Sequence, residues 1–484
     1  MTQASRSSLD GAPLLEAHFE EKISPVSQNP LMRPIEFITS KFSAKSIIAI
    51  LRPSFLDRSA SQKPPHPTAW LDGIRGYASF FVFVYHFQHL FHQAYNFGYA
   101  SNNGDRDHWL IQLPIIRLIF TGGPMVSVFW VLSGVSLSLK PLQLARNQNW
   151  DKFFDTLFSS VFRRALRLYL PVFFVQLCVL VAACLGFYNH AFALSKEWPF
   201  GGTNEVQFDV KEINTEQIQY WAADMWKLVN PFKPHRPKHD VHLWTIPLEF
   251  RNSIILFATL VGYSKLRSKV RIALTAALYL FCVAVEEGDA GLFIAGMGLA
   301  EYLLIRDEHA KQLPSAEKVS EFQSKRVRIA WGVVCFVGLY LLSWPAWKYE
   351  TTPGYTAIYN LTPTFIHSQE MTWSRIGAAV FLLAMCGSEY LRKPFSTPFA
   401  IYMGKISFPL YIVHGPLNHI IGTSLVEFFW SFTGHETLFT YEFGVIAAFY
   451  IEAVVVVWLA DILMRTVDTP SVRLGRTLQN KWSC

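Results

Sequence analysis

Charged residues are scarce in this chain. Asp, Glu, Lys and Arg make up 16% of its 484 residues, whereas 51% are hydrophobic and 15% are aromatic. Because soluble domains carry about 25% charged residues, this composition excludes an ordinary soluble protein. The formal net charge of +7 is modest and gives no reason to expect a nucleic-acid partner.

The chain also lacks a disulfide framework and the pattern of a secretory leader. It has six cysteines, five of them inside apolar segments, where core thiols are more common than disulfides. The first 30 residues are polar and mixed in charge, so no cleavable signal peptide is expected. No internal repeat of the kind found in many transporters is visible.

Long apolar segments, in contrast, are abundant. Each is close to the 20 or so residues with which a helix crosses the hydrocarbon core of a bilayer. The segments are 71–91, 114–139, 168–187, 241–263, 270–286, 289–305, 329–347, 375–391, 398–421 and 442–465. They predict an all-α fold, a polytopic membrane helix bundle of about ten transmembrane helices.

Lysine and arginine are concentrated in every second connecting segment. Basic residues precede the first apolar segment and follow the second, fourth, sixth, eighth and tenth. Since cytosolic loops of membrane proteins carry an excess of Lys and Arg, both termini are predicted to be cytosolic. The long 188–240 segment also holds basic residues on the far side, but long loops follow this rule less strictly. The expected location is an endomembrane such as the endoplasmic reticulum, or the plasma membrane.

Three regions are expected along the chain. Residues 1–67 form a cytosolic N-terminal region in which 1–30 have the composition of a disordered segment. Within it, 34–52 have the pattern either of a basic amphipathic helix on the membrane surface or of a soluble helix. Residues 68–465 form the transmembrane domain, and 466–484 form a cytosolic tail. Membrane lipids are therefore expected partners.

The first apolar segment carries ionisable residues. Asp72, Arg75 and His86 lie within it, and such groups are costly where they face lipid. Arg75, Ser79 and His86 share one helical face, and roughly 16 Å separate its two ends. The stripe predicts a functional site, although a stripe that only holds helices together is the alternative.

Two other apolar segments carry polar residues at a similar depth. Counted along each helix, His86, Glu249 and His414 lie roughly 18–24 Å from the cytosolic edge. Tyr411 shares a helical face with His414. Each residue has a simpler alternative, such as a buried histidine bonded to a neighbour or a glutamate paired with Arg251. Together they predict a functional cavity.

A cluster of arginines is expected at the cytosolic mouth. Arg163, Arg164 and Arg167 fall at the beginning of the third apolar segment, and Arg75 lies on the same side. Arginine binds phosphate through two parallel hydrogen bonds. The alternative is that these residues only anchor the helix at the cytosolic surface.

A further polar motif lies in the Pro-rich part of the 188–240 segment. HRPKHD at 235–240 matches the H-x-x-x-x-D pattern of glycerolipid acyltransferases. It is predicted on the side of the membrane opposite to the cytosol, where the acyl donor of such an enzyme would not reach it. His235, His239 and His242 form another candidate set, for a metal ion. Nothing in the sequence fixes their geometry, so no metal is expected.

Several motifs occur together in one order along the chain: LDGIRG…YHF, FWVLSG, RRALRLYLP, LWTIPLEF and GKISFPLYIVHGP. In that order they resemble the acyltransferase 3 family of integral membrane acyltransferases over residues 68–465, and IPLEFR is most similar to fungal members. The resemblance implies a ten-helix enzyme that takes an acyl group from cytosolic acyl-CoA. Acetyl-CoA is the expected donor, and the acceptor is a hydroxyl of a small molecule, glycan or lipid.

The resemblance also implies roles for particular residues. His86 corresponds to the family's catalytic histidine, and Glu249 to a glutamate beside which many bacterial members have a second acid, here Phe250. The residues that resemble acyl-CoA contacts are Arg75, Arg163, Arg164 and Arg167.

These roles suggest a mechanism in which His86 acts as a general base on the acceptor hydroxyl. Glu249 or Tyr411 would orient it, Tyr411 or Ser407 would stabilise the oxyanion, and His414 is the next candidate base. Direct transfer and an acyl-histidine intermediate both remain open. A proton-coupled transporter that uses His86, Glu249 and His414 is the alternative function, and a receptor or scaffold without chemistry is a third.

Overall fold

A computed structural model describes residues 48, 50–56, 66–205, 208–233, 235–314 and 324–483, apart from the side chain of Arg106. These residues form helices and loops and contain no β-strand, only an isolated bridge between Phe97 and Trp347. The predicted all-α fold is therefore confirmed for this part of the chain. The expected disordered segment 1–30 and most of the expected amphipathic helix 34–52 lie outside the described residues.

Sixteen α-helices follow one another along the described residues. They are α1 Ala69–Phe91, α2 Gly122–Arg146, α3 Trp150–Cys184, α4 Asn189–Lys196, α5 Asn214–Leu228, α6 Thr245–Tyr263, α7 Ser268–Ala284, α8 Gly288–Gln312, α9 Lys325–Leu342, α10 Thr356–Leu361, α11 Gln369–Gly387, α12 Glu389–Arg392, α13 Pro398–Leu417, α14 Thr423–Thr433, α15 Leu438–Leu463 and α16 Thr469–Trp482. A 3-10 turn, Val241–Trp244, leads into α6, and π-helical turns join α13 to α14 and α15 to α16.

Each of the ten predicted apolar segments overlaps one long helix, but their number as membrane spans is not confirmed. Within the described part of the chain, four helical stretches are long and apolar enough to cross a membrane: α2, α3, α8 and the continuous stretch Leu438–Trp482. A fifth results if α11 and its continuation to Ser396, bent by 108°, count as one span. The other long helices are shorter or less apolar. Helix α1, for example, carries Asp72, Arg75 and two histidines.

Helix α1 lies between two hydrophobic cores. Its first half, from Leu71 to Val82, packs into a core built largely from α2, α8 and α11. Its second half, from Phe83 to Phe91, packs into a core built largely from α3, α13 and α15. Ionisable residues on α1 are therefore surrounded by protein on several sides.

Helices α1 and α13 approach each other closely because glycines face each other where they meet. A side chain at Gly76 would begin 2.5 Å from the backbone nitrogen of Gly404, and one at Gly404 would begin 2.2 Å from the carbonyl oxygen of Asp72. Small residues allow two helix backbones to come this close. The contact fixes the helix that carries His86 against the helix that carries His414.

Helix α3 is longer than its apolar part. It runs over 35 residues from Trp150 to Cys184, about 52 Å at 1.5 Å per residue. The predicted arginines therefore lie in the middle of a continuous helix and not at its first turn. This places them deeper among the neighbouring helices than the sequence indicated.

Candidate active site

Three histidine rings from three parts of the fold meet near the C-terminal end of α1. His86 comes from α1, His242 from the 3-10 turn before α6, and His414 from α13. The ring centroids of His86 and His242 are 3.9 Å apart, those of His242 and His414 4.8 Å, and those of His86 and His414 5.4 Å. The structure thus brings together the two histidines that the sequence placed at one depth.

A carboxylate from the 188–240 segment reaches into this histidine cluster. Oε2 of Glu205 lies 3.2 Å from Nδ1 of His86 and 3.4 Å from Nε2 of His242. Its other oxygen lies 3.7 Å from Nε2 of His89. Burial opposes ionisation of Glu205, but the neighbouring His86 and His242 imidazoles hold its pKa well below its usual range. The carboxylate thus faces three imidazoles, two of which favour its ionised form.

A second carboxylate lies behind His242. Oδ1 of Asp240 is 2.8 Å from Nδ1 of His242, and the same oxygen accepts a hydrogen bond from the His242 backbone nitrogen at 3.1 Å. This side chain caps the 3-10 turn at its beginning, so the turn and the imidazole are fixed together. His242 consequently lies between the carboxylates of Asp240 and Glu205.

The hydroxyl groups expected near the chemistry are engaged elsewhere. The Tyr411 hydroxyl donates to the backbone carbonyl of His242 and lies 2.6 Å from Oγ1 of Thr245. Ser407 donates to the carbonyl of Gly404 within its own helix, at 2.8 Å. Tyr411 therefore holds the beginning of α6 in place and makes no hydrogen bond to the His86 ring.

Glu249 lies with the arginines and does not hydrogen-bond a histidine. Its Oε1 accepts from Nη2 of Arg164 at 2.6 Å and from Oγ of Ser133 at 2.7 Å. Nε of Arg164 donates to Oγ of Ser253 at 2.9 Å. The expected layer of three groups thus contains the two histidines, while the glutamate anchors the buried arginine. Arg251 pairs instead with Asp289, at 2.8 Å.

Three of the four predicted arginines converge, and one turns away. Arg75, Arg164 and Arg167 lie close enough to repel one another electrostatically. Arg75 forms an ion pair with Asp72 at 3.1 Å. Arg163 instead donates to the carbonyl of its own helix at Ser159 and packs against α16.

Arg167 differs from its two neighbours in this cluster. It is half-buried, and it makes no hydrogen bond or ion pair with any residue that the structure describes. Arg167 is therefore the arginine in this cluster whose hydrogen-bond donors no described residue uses.

The histidine cluster also has the composition of a metal site. One nitrogen each from His86, His242 and His414 lies within 4.8 Å of the others, and neutral imidazole is a common ligand of transition metals. Both ring nitrogens of His242, however, already face carboxylates. The other candidate set, His235, His239 and His242, does not share one position. His235 and His239 both pair with Asp224, at 2.5 and 2.8 Å, whereas His242 pairs with Asp240.

Buried polar atoms without partners lie beside the histidines. Among the described residues, Nε2 of His414, both ring nitrogens of His419 and Oε2 of Glu452 accept or donate no hydrogen bond. With its amide oriented to suit its neighbours, Asn418 donates to the His414 carbonyl at 3.0 Å and to the other oxygen of Glu452 at 2.6 Å. No pattern in the sequence singles out His419, Glu452 or Glu205.

A family model described as an acyltransferase domain matches residues 68–465, which include both clusters. The chain belongs to the acyltransferase 3 family. Its predicted family membership is thus confirmed, and acyl transfer is the reaction of this family.

Three curated fungal proteins are similar to this chain over most of their length. O-acetyltransferase PaAT-1 of Phomopsis amygdali is 30% identical over 451 residues, which are 89% of this chain and 88% of the relative. Acyltransferase R4 of Phoma sp. (strain ATCC 20986 / MF5453) is 26% identical, over 84% of this chain and 95% of the relative. Acyltransferase clz18 of Cochliobolus lunatus is 26% identical, over 83% and 94%. No solved structure matches significantly.

Proposed function

We propose that this chain is a membrane-embedded O-acyltransferase that moves an acyl group, with acetyl expected, from acyl-CoA to a hydroxyl of a sugar, lipid or secondary metabolite. One observation carries the proposal: α1 joins an arginine cluster to a histidine cluster. Arg75 and His86 are separated by three helical turns, roughly 16 Å. The extended pantetheine arm of CoA suits such a separation between a phosphate site and a reacting thioester. The name of the PaAT-1 relative, an O-acetyltransferase, supports the acetyl group and the hydroxyl acceptor.

The proposed topology is ten membrane helices with both termini in the cytosol. Its support is the alternation of basic segments and the overlap of each predicted segment with a helix. Residues 1–67 and 466–484 are then cytosolic, and 68–465 are the catalytic domain, in an endomembrane or the plasma membrane. This orientation places Arg75 towards the cytosol, where acyl-CoA is available, and His86 towards the far side.

The proposed donor site consists of Arg75, Arg164 and Arg167. Arg167 offers its full fork of donors to a CoA phosphate, because it is bonded to no described residue. Arg164 adds charge and is held in place by Glu249. Arg163, which turns towards α16, contributes at most to the outer part of the site.

The proposed reaction uses His86 as the base. Glu205 faces Nδ1 of His86, which leaves Nε2 with the lone pair that can accept a proton. Nε2 takes the proton of the acceptor hydroxyl while the oxygen attacks the thioester carbonyl. The tetrahedral intermediate collapses, the carbon–sulfur bond breaks, and the imidazolium returns its proton to the CoA thiolate. An acyl-histidine route would instead form the first bond at Nε2 and would release CoA before the acceptor binds.

The test is acyl transfer by the purified protein in detergent. Labelled acetyl-CoA is supplied with a panel of sugars, sterol-like lipids and polyphenolic alcohols, and the release of CoA thiol and label transfer are measured. Acceptor-dependent release that requires His86 supports the proposal. Absence of CoA release with every acceptor, together with proton movement across liposomes containing the protein, would instead support the transporter alternative.

A further inference from the structure

The segment between α4 and α5 is fixed against the end of α1. The backbone nitrogen of Thr203 donates to the carbonyl of His89 at 2.8 Å. A side chain at Gly202 would begin 2.4 Å from the same carbonyl oxygen, so only glycine suits this approach without displacement. The amide of Asn204 donates to the carbonyl of Ser195 at 2.7 Å. These contacts set the position of the next residue, Glu205.

Hydrogen-bonding capacity defines the proton positions around Glu205. An ionised carboxylate only accepts hydrogen bonds. Nδ1 of His86 faces Glu205, so this nitrogen carries the hydrogen. Nδ1 of His242 faces Asp240 and its Nε2 faces Glu205, so His242 carries hydrogens on both nitrogens. The row Asp240, His242, Glu205 and His86 is therefore connected by hydrogen bonds from end to end.

The charges of this row balance when His86 gains a proton. At rest, two carboxylates and one imidazolium give a net charge of −1, because His86 is neutral. When His86 accepts a proton from the substrate, the net charge becomes zero. Fixed charges that complement charge developing in a reaction lower its barrier, and they do so most effectively away from water.

We propose that Glu205 is the positioning residue of His86 and that it is held in that role by His242 and Asp240. This inference rests on the proposed function of His86 as the base. Glu205 selects the tautomer with a free Nε2 and stabilises the imidazolium that forms. The 188–240 segment, which is predicted on the far side of the membrane, thus contributes a wall of the active site.

The decisive comparison is between Glu205→Gln and Glu205→Asp. The Gln variant has almost the same shape, but its amide can donate to Nδ1 of His86 and so favour the wrong tautomer. We expect kcat to fall by about 100-fold or more, as loss of the carboxylate charge does in serine-protease triads. The Asp variant keeps the charge and should recover activity to within about tenfold of the parent. The KM for acetyl-CoA should stay within about twofold in both variants, because the arginine cluster is unchanged.

Glu442→Gln is the matched control. Oε1 of Glu442 lies 3.0 Å from Nε2 of His92, just beyond the end of α1, and touches none of the row. It is also a carboxylate–imidazole pair, although the Glu442 side chain is 35% exposed, so the effect of losing one carboxylate charge near α1 is tested away from the row. We expect its kcat to change by less than about twofold.

Three results would overturn the inference. The first is normal kcat in Glu205→Gln while His86→Ala is inactive, which leaves the proposed function intact. The second is equal loss in Glu205→Gln and Glu205→Asp together with a lower melting temperature, which assigns a structural role only. The third is full activity of His86→Ala, which removes the proposed base itself, and the positioning role with it.

Discussion

Replacement of Arg167 by alanine tests the donor site with little disturbance of the fold. Arg167 makes no hydrogen bond or ion pair with the described residues, and its attraction to Asp468 acts without direct contact. Its removal therefore breaks no hydrogen bond and no ion pair, and Asp468 loses only this attraction at longer range. A charge-assisted contact to a phosphate contributes about 1.5–3 kcal/mol, and each 1.4 kcal/mol changes an equilibrium about tenfold. We expect the KM for acetyl-CoA to rise by about 10- to 140-fold, with kcat and melting temperature nearly unchanged.

Arg164 lies one turn before Arg167 in α3, and Arg164→Ala should behave differently. Arg164 is buried, and it donates to Glu249, whose side chain is 17% exposed. Without Arg164 this largely buried carboxylate loses its positive partner, which lowers the free energy of unfolding by about 3–5 kcal/mol. The variant should therefore lose folded protein as well as donor affinity. The double variant Arg164→Ala with Glu249→Gln should recover much of the stability but not the affinity.

Acetyl-CoA titrations at saturating acceptor, with melting curves on the same preparations, measure both effects. Arg163→Ala is the internal comparison, because Arg163 packs against α16; its KM should change by less than about twofold. An unchanged KM in Arg167→Ala would show that the arginines only anchor α3. Equal effects of Arg163→Ala and Arg167→Ala would contradict the division of the cluster described here.

Three further predictions concern the base, metal and topology. His86→Ala and His86→Gln should each lower kcat by about 10²–10⁴ while acyl-CoA binding, measured by calorimetry, persists; near-normal turnover of His86→Gln would turn attention to His414. Prolonged treatment with a strong chelator should leave acyl transfer unchanged, and loss of activity that zinc restores would make the three imidazoles a metal site. In sealed microsomes, an impermeant thiol reagent added from the cytosolic side should label Cys484, and labelling only from the opposite side would contradict the proposed topology.

Helix positions and one pair of site residues were accessible from the sequence. Apolar segments of membrane length located the long helices because little else can bury so many consecutive hydrophobic residues. Counting residues from the basic ends placed His86 and His414 at one depth, and their rings are 5.4 Å apart. This worked because both residues lie on regular helices whose rise per residue is constant.

The partner of Glu249 was not accessible by the same counting. The sequence placed the arginines at the beginning of the third apolar segment, whereas α3 begins at Trp150 and carries Arg164 deep enough to meet Glu249. Glu205 was inaccessible in a different way. It lies in an irregular segment, and its position depends on contacts such as that of Thr203 with His89, which no periodicity records.

The glycine contact between α1 and α13 has a consequence for the permeability of the membrane. Histidines that exchange protons would offer a leak path wherever water could reach them from both sides. Gly76 and Gly404 lie on the Arg75 side of the histidines, and backbones pressed together there leave no room for water between these two helices. On another face of α1, Arg75 donates to Ser136 of α2 at 3.5 Å. Under the proposed function, an acyl-CoA molecule bound along that face would exclude water there as well, so that occupied enzyme would turn over without dissipating a proton gradient.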